Sequence, residues 1–193
     1  MKYYAVKVGR NPGIYNSWEE CQKEVSKFEG ATFKSFSSLE DAKNYLEDKE
    51  ETLNQNIPNI YVDGSFDVRT NRYSFGGVIL YQNEIKTFKK AFDSDEFSQF
   101  RNVSGEIRGA SFVINYSIKN NYKEINIFYD YEGIKKWFTN EWKANTKISM
   151  LYQDYASSVR DKIKINFVKI KSHTNNKYND LADKLAKEAL GIN

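Results

Sequence analysis

The chain is poor in the residues that build disulfide frameworks and nitrogen- or sulfur-ligated metal sites. Its 193 residues include one cysteine, Cys21, one histidine, His173, and two prolines. A single cysteine excludes a disulfide within the chain and a zinc site built on several thiolates, and it suits a reducing compartment. With only one histidine as well, any metal site must rely on carboxylate oxygens and therefore on a hard cation.

Long apolar runs are also missing. No stretch of 18 hydrophobic residues exists, and the opening MKYYAVKVGR lacks the apolar segment of a signal peptide. We therefore expect a cytoplasmic protein with no membrane partner. The chain is nevertheless rich in aromatic residues, with 14 tyrosines, 13 phenylalanines and 3 tryptophans, and this composition is typical of a globular protein.

Charge is distributed unevenly along the chain, whose formal net charge is +3. Residues 1–47 hold seven basic and seven acidic side chains, whereas residues 59–193 hold 21 basic and 16 acidic ones, a balance of +5. A basic surface is the electrostatic footprint of nucleic-acid binding. A solvated lysine-rich surface explains the same balance equally well.

A small N-terminal domain, residues 1–47, is predicted to fold as strand, helix, strand, helix, a ββαα-type module. Each helix is preceded by a serine three residues before a glutamate, the spacing of a capping box. These pairs are Ser17 with Glu20 and Ser37 with Glu40.

A linker and a larger domain follow. Residues 48–58 are polar and charged and end at Pro58, which cannot continue a helix. Residues 59–193 begin with three β-rich runs joined by short turns, and helices then alternate with two further strands. This order predicts an α/β (α+β) domain with a five-stranded mixed sheet flanked by helices.

Three acidic residues of the larger domain have competing structural and functional explanations. Asp63, in IYVDGS, fits either an Asp-Gly turn or a strand carboxylate that needs a cation. Asp130 ends the strand INIFYD, where it can cap the next helix or bind a ligand at the carboxyl edge of the sheet. Glu106 lies in the predicted first turn of a helix, where the helix dipole alone favours an acid.

The last helix adds two more acids, Asp180 and Asp183, each four residues before a lysine and so at the spacing of a surface ion pair. Considered together, carboxylates from two strand ends and two helix starts can converge on one point. Such a cluster repels itself strongly unless a cation neutralises it. The combination therefore predicts a site for Mg²⁺.

These segments resemble the ribonuclease H type 1 catalytic domain in their order and spacing, over about residues 59 to 190. The segments are YVDGS, NVSGE, IFYDYEGIKKW and VKIKSHTNNKYNDLADKLA. In that family a loop histidine precedes the last catalytic aspartate by ten positions, and an asparagine follows the histidine by six. His173, Asn179 and Asp183 fit this pattern, so the resemblance selects Asp183 rather than Asp180.

The resemblance implies an endoribonuclease that hydrolyses the RNA strand of RNA–DNA hybrids and leaves 5′-phosphate and 3′-hydroxyl ends. Two Mg²⁺ ions about 4 Å apart are implied, with Mn²⁺ as an alternative. Asp63 is expected to bridge the two ions, Asp130 to hold the ion on the nucleophile side, and Glu106 and Asp183 to complete the coordination. His173 is expected to handle a proton or assist product release.

Three asparagines are expected to contact the nucleic acid by the same resemblance. Asn102 lies four residues before Glu106, and Asn179 and Asn71 are the other two.

The N-terminal domain separately resembles the hybrid-binding domain found at the front of many ribonucleases H1. That likeness implies nucleic-acid contacts by Tyr4, Trp18, Phe33 and Lys34, with an RNA–DNA hybrid and also double-stranded RNA as partners. For Trp18 and Phe33, core packing is the alternative. A second lysine often follows in this family, but Ser35 stands there, and this departure weakens the expected hold on a phosphate.

Two other functions compete with this interpretation. One is a catalytically silent hybrid-binding protein on a ribonuclease H fold, and the other is a related DNA-acting nuclease such as an integrase or resolvase. The four acids argue against the first, and the histidine loop and N-terminal domain fit the second poorly. A monomer is the expected oligomeric state.

Overall fold

A computed structural model describes residues 2–46, 56–170 and 176–192. The chain forms two compact units, residues 1–53 and 54–193. Of the predicted linker 48–58, only residues 56–58 are among those described.

The N-terminal unit is a three-stranded antiparallel sheet with two helices. Its elements are β1 (Tyr3–Val8), β2 (Gly13–Tyr15), α1 (Trp18–Val25), β3 (Thr32–Phe36) and α2 (Leu39–Leu46). The strand order is β2-β1-β3. The sequence did not predict β2, because three residues are too few to show an alternating pattern.

The helix starts of this unit follow from capping serines. Ser17 and Glu20 form the predicted capping box at α1. At α2 the prediction of Ser37 was wrong by one residue, because the Ser38 hydroxyl accepts the hydrogen bonds, from the backbone N–H groups of Glu40 at 3.1 Å and Asp41 at 3.3 Å.

The larger unit contains the predicted five-stranded mixed sheet, which is confirmed. Its strands are β4 (Asn59–Asp67), β5 (Arg72–Tyr81), β6 (Glu84–Phe92), β7 (Glu124–Tyr129) and β8 (Lys164–Lys169). The order is β6-β5-β4-β7-β8, in which β4, β5 and β6 pair antiparallel and β4, β7 and β8 pair parallel. Its helices are α3 (Asn102–Lys119), α4 (Gly133–Phe138), α5 (Lys147–Val159) and α6 (Lys177–Leu190).

Glycines allow helices to approach both faces of this sheet. A Cβ on Gly64 of β4 would lie 2.3 Å from the carbonyl oxygen of Asn102, the first residue of α3. A Cβ on Gly76 of β5 would lie 2.4 Å from the carbonyl oxygen of Ala182 in α6. Because Gly64 pairs with Phe75, the neighbour of Gly76, the two glycines point to opposite faces. Helices α3 and α6 therefore pack on opposite sides of β4 and β5.

An asparagine ladder fixes the register of the parallel strands. Asn59, Asn126 and Asn166 lie side by side on β4, β7 and β8. The Asn126 amide donates to the Asn59 Oδ1 at 2.7 Å, and the Asn166 amide donates to the Asn126 Oδ1 at 2.8 Å. A one-residue slip would break both bonds, so the ladder determines which residues reach the carboxyl edge of the sheet.

Within the described ranges, no helix is long and apolar enough to span a bilayer.

Candidate active site

The candidate site opens where two parallel strands separate. Strands β4 and β7 pair only over three residues each, ending at Tyr61 and Phe128, whose rings stack 4.4 Å apart. Asp63 and Asp130 each follow two residues later, on the two sides of the opening. Asp63 lies inside β4 opposite Gly76, so the Asp-Gly turn is excluded. Asp130 does not cap the next helix, because the N-cap position of α4 is Glu132.

Glu106 reaches the same opening from α3. It is the fifth residue of the helix and is 3% exposed, so the prediction that it lies in the first turn was wrong and the helix dipole does not explain it. The Asn102 amide donates to the Glu106 Oε1 at 3.0 Å and orients the carboxylate. One oxygen each of Asp63, Glu106 and Asp130 lies within 4.8 Å of the others.

Burial and the neighbouring negative charges raise the pKa of two members of this three-carboxylate group, Asp63 and Glu106. Burial raises the pKa of Asp63 to about 7, and the charges of Asp130 and Asp183 add to that shift. The Gly64 N–H, which donates to the Asp63 Oδ1 at 2.7 Å, acts in the opposite direction, as does Lys187. The pKa of Glu106 is raised well above its usual range, mainly by burial and then by the other two acids.

A divalent cation fits this group of oxygens. The Glu106 Oε2 is buried and receives no hydrogen bond from the residues that the structure describes, which is costly for a carboxylate oxygen. The atoms available to bind a metal are all carboxylate oxygens, the ligands that Mg²⁺ prefers. This buried oxygen lies beside two further carboxylates, an arrangement that a bound divalent cation would satisfy.

We expect the metal-free protein to lose stability relative to an Asp63→Asn variant as the pH rises from about 4 to about 7. An aspartate in an unfolded chain titrates near pH ~3.9, whereas folded Asp63 keeps its proton to about 7. The folded state thus binds more protons within this window, so Asp63's contribution to the free energy of unfolding falls as pH rises.

Thermal unfolding in EDTA at several pH values would measure this difference. The melting temperature of the variant should rise relative to wild type across the window and then level off. A difference that stays constant from pH 4 to pH 8 would contradict the raised pKa of Asp63.

The structure does not bring Asp183 into the three-carboxylate group. Asp183 lies on α6, its side chain is 40% exposed, and its Oδ2 accepts a bond from the Lys187 Nζ at 2.7 Å. The fourth predicted ligand is therefore near Asp63 but paired with a lysine of its own helix. Asp180 is exposed, and Lys184, its predicted partner, pairs with Glu188 instead.

Comparison with known proteins agrees with this geometry. Residues 55–191 match the family description RNase H, and residues 2–46 match the Ribonuclease H1 N-terminal domain. The chain belongs to the ribonuclease H family. The resemblance noted from the sequence motifs is thereby confirmed for both parts of the chain.

Individual ribonucleases H resemble the chain to different extents. A Ribonuclease H of Saccharomyces cerevisiae is 46% identical over 52 residues, which cover 27% of the chain and only 15% of the yeast protein. A Ribonuclease H of Caldanaerobacter subterraneus subsp. tengcongensis is 29% identical over 145 residues, or 71% of the chain and 93% of that protein. The solved structure of LC11-RNase H1 in complex with RNA/DNA hybrid shares the fold, with a TM-score of 0.54 and 14% identity, and the match covers 69% of the chain and 99% of that protein.

The three asparagines predicted to contact nucleic acid lie in different surroundings. Asn102 is exposed beside the ribonuclease H carboxylates. Asn179 is 8% exposed, and its Oδ1 has no hydrogen-bond donor among the described residues. Asn71 lies in the β4–β5 turn with φ 56° and donates to the Ser94 hydroxyl at 2.8 Å, so its amide is already used within the fold. Their roles toward nucleic acid stay predictions, as does that of His173, which lies outside the described residues.

An aromatic face is present on the N-terminal unit. The Trp18 ring lies 5.8 Å from Tyr4 and 5.6 Å from Phe33, and Trp18 and Phe33 are 42% and 40% exposed. Core packing therefore does not account for these two rings. Ser35 pairs with Tyr4 and shares its face, whereas the neighbouring Lys34 points to the other face of β3. The lysine that Ser35 replaces would have stood beside the aromatic rings.

Two residues near the carboxylates were missed as site residues from the sequence. Burial raises the pKa of the Tyr131 hydroxyl and the charge of Glu106 adds to it, which places Tyr131 next to the ribonuclease H site. Lys187 was recognised only as a surface ion-pair partner. Its spacing from Asp183 was visible, but its proximity to Asp63 depends on how α6 packs against β5.

Proposed function

We propose that the chain is an endoribonuclease that hydrolyses the RNA strand of RNA–DNA hybrids and leaves 5′-phosphate and 3′-hydroxyl ends. The observation that carries the proposal is the three-carboxylate group, formed by buried Glu106 and half-buried Asp63 and Asp130, in a member of the ribonuclease H family. The hybrid in the LC11-RNase H1 complex supports the choice of substrate.

Asp63, Glu106 and Asp130 would hold divalent ions, with Mg²⁺ as the proposed metal and Mn²⁺ as a substitute. When bound, two such ions supply Lewis acidity that activates water and neutralises charge on the phosphate. The Gly64 N–H and the Asn102 amide fix the orientations of Asp63 and Glu106. Carboxylates held in this way need little reorganisation when substrate binds, which favours catalysis.

The chain's remaining predicted residues act on the substrate in this proposal. Asn102 stands at the mouth of the site, where its exposed side chain can meet the nucleic acid. His173 handles a proton or assists product release, and its single imidazole titrates near neutral pH. The N-terminal unit binds the hybrid, because its exposed aromatic rings suit sequence-independent contact with bases and sugars.

The test is a comparison of matched RNA–DNA, RNA–RNA and DNA–DNA duplexes of one sequence, each incubated with protein and Mg²⁺. We expect cleavage of the hybrid only. Binding of the hybrid without cleavage would instead support the silent binding protein, and cleavage of the DNA duplex would support an integrase-like or resolvase-like nuclease.

Replacing Trp18 with alanine should raise KM for the hybrid about tenfold, since one stacked ring contributes ~1–3 kcal/mol to nucleic-acid binding. The value of kcat should not change, because the carboxylates lie in the other unit. Steady-state cleavage kinetics measure both constants. Leu39→Ala is a matched control, because Leu39 is an equally exposed apolar residue of the same unit outside the aromatic face.

The fragment 54–193 lacks the whole N-terminal unit, so it should show the largest rise in KM for the hybrid. It should also keep the kcat of the full chain. A Trp18→Ala variant with a lower kcat and an unchanged KM would contradict the proposed division between binding and chemistry.

A further inference from the structure

Helix α6 is held against the strand that pairs with Asp63. A Cβ on Gly76 would lie 2.4 Å from both the Ala182 carbonyl oxygen and the Ala186 nitrogen, so the helix backbone touches β5 there. Gly76 is the direct partner of Asp63 in the antiparallel β4–β5 pair. The residues that follow these two alanines therefore lie one turn apart beside Asp63.

Those residues are Asp183 and Lys187. The Lys187 Nζ donates to the Asp183 Oδ2 at 2.7 Å, and the two side chains are 48% and 40% exposed. Asp183 does not belong to the described group of carboxylates whose oxygens lie within 4.8 Å of one another. The fourth carboxylate, at the margin of the candidate metal site, is thus paired with a lysine.

We propose that Lys187 is a positioning residue that competes with a divalent ion for Asp183. This inference rests on the proposed function, because it assumes that ions bind at the three carboxylates. The Lys187 ammonium group partly neutralises the Asp183 carboxylate and so makes it a weaker ligand, and the lysine therefore sets how readily the fourth carboxylate is used.

The competition follows from charge and exposure. An ammonium group and a divalent ion are both attracted to the negative charge of the same carboxylate, but lysine cannot serve as a metal ligand because it has no lone pair when charged. An exposed pair at i,i+4 spacing contributes little to stability, so a divalent ion can displace it. After displacement, the lysine charge remains near the ion and continues to weaken its binding.

A second pair on the same helix provides a matched control. Lys184 pairs with Glu188 at 3.9 Å with the same i,i+4 spacing, and Glu188 also binds the Lys89 of β6 at 2.8 Å. Removing Lys184 deletes the same charge from the same helix but leaves Glu188 paired. Only the loss of Lys187 frees the fourth carboxylate.

The experiment is a calorimetric titration of the full chain with Mg²⁺ alone, and separately with Mn²⁺ alone. Lys187→Met should tighten the weaker ion-binding step by about twofold to fivefold, the range expected for loss of one exposed pair. The gain should shrink in high salt, because exposed charges are then screened. Lys184→Met should leave the affinity unchanged, and Lys187→Arg should resemble wild type.

Unchanged or weaker ion binding by Lys187→Met, with Lys187→Gln as a second neutral variant, would overturn the inference. Failure of the proposed function looks different, because the wild-type chain would then bind neither ion. If the wild-type chain binds ions and Asp130→Asn does not, the proposed metal site is supported. The titration of Lys187→Met then tests the role of Lys187 alone.

Discussion

An Asp130→Asn variant should lose RNA cleavage in the hybrid by about a thousandfold or more while its binding of the hybrid survives. Asp130 follows β7 where that strand separates from β4, and it contributes one of the three grouped carboxylate oxygens. Asparagine has the same shape but no charge, so the substitution weakens cation binding without displacing the chain. Stability should not fall, because the variant removes repulsion from the cluster.

Initial rates of hybrid cleavage in Mg²⁺, together with a binding measurement in EDTA, separate the two effects. Asp180→Asn is the matched control, since Asp180 is an exposed acid of α6 outside the three-carboxylate group, and it should cleave normally. If Asp130→Asn cut at the wild-type rate, the assignment of this carboxylate to the metal would be wrong.

Gly64→Ala is expected to give the second large effect, a loss of about 3 kcal/mol in the free energy of unfolding, typical of severe overpacking. The new Cβ would lie 2.3 Å from the Asn102 carbonyl oxygen and 2.7 Å from the Glu106 nitrogen. Both are backbone atoms, so α3 must move away from β4. Glu106 moves with it, and hybrid cleavage should fall together with stability.

Thermal unfolding and cleavage rates of the full chain test this expectation. Gly109→Ala, on the helix α3 that Gly64 contacts, is the matched control. The new Cβ at Gly109 would approach only the Phe75 side chain, at 3.1 Å. Its effect should be small, since the tight contact is offset by the better helix propensity of alanine. A Gly64→Ala variant as stable as Gly109→Ala would contradict the close approach of α3 to β4.

The convergence of three acids was predictable because strand order brings them together. An apolar strand with an internal aspartate, a second strand ending in one, and a helix between them place Asp63, Asp130 and Glu106 at one edge of a mixed sheet. How deeply each of the three carboxylates is buried was not predictable. Glu106 is buried because Gly64 admits α3, and that contact links residues 42 positions apart in the sequence.

The state of the fourth acid could not be predicted. The sequence shows that Asp183 and Lys187 are spaced for an ion pair, and family resemblance selects Asp183 as a ligand. Both predictions rest on short sequence spacings, and only the packing of α6 on Gly76 shows that the pair lies beside Asp63. Competition between lysine and metal is a tertiary property with no signature in either spacing alone.

The exposure of the aromatic face of the N-terminal unit was equally hard to predict from the sequence. Helical spacing places Trp18 on the side of α1 that contains Cys21 and Val25, which are buried. Because Trp18 is the first residue of the helix, its ring extends past the small core and stays 42% exposed. Sequence periodicity cannot separate these outcomes, since the size of the core is not encoded in one helix.

The most direct test of the account uses one hybrid whose RNA and DNA strands carry different labels, incubated with the full chain in Mg²⁺ and in EDTA. We predict that only the RNA strand is cut, only with Mg²⁺, and that its fragments end in 3′-hydroxyl and 5′-phosphate groups. An intact RNA strand, a cut DNA strand, or RNA cleavage that persists in EDTA would contradict the account.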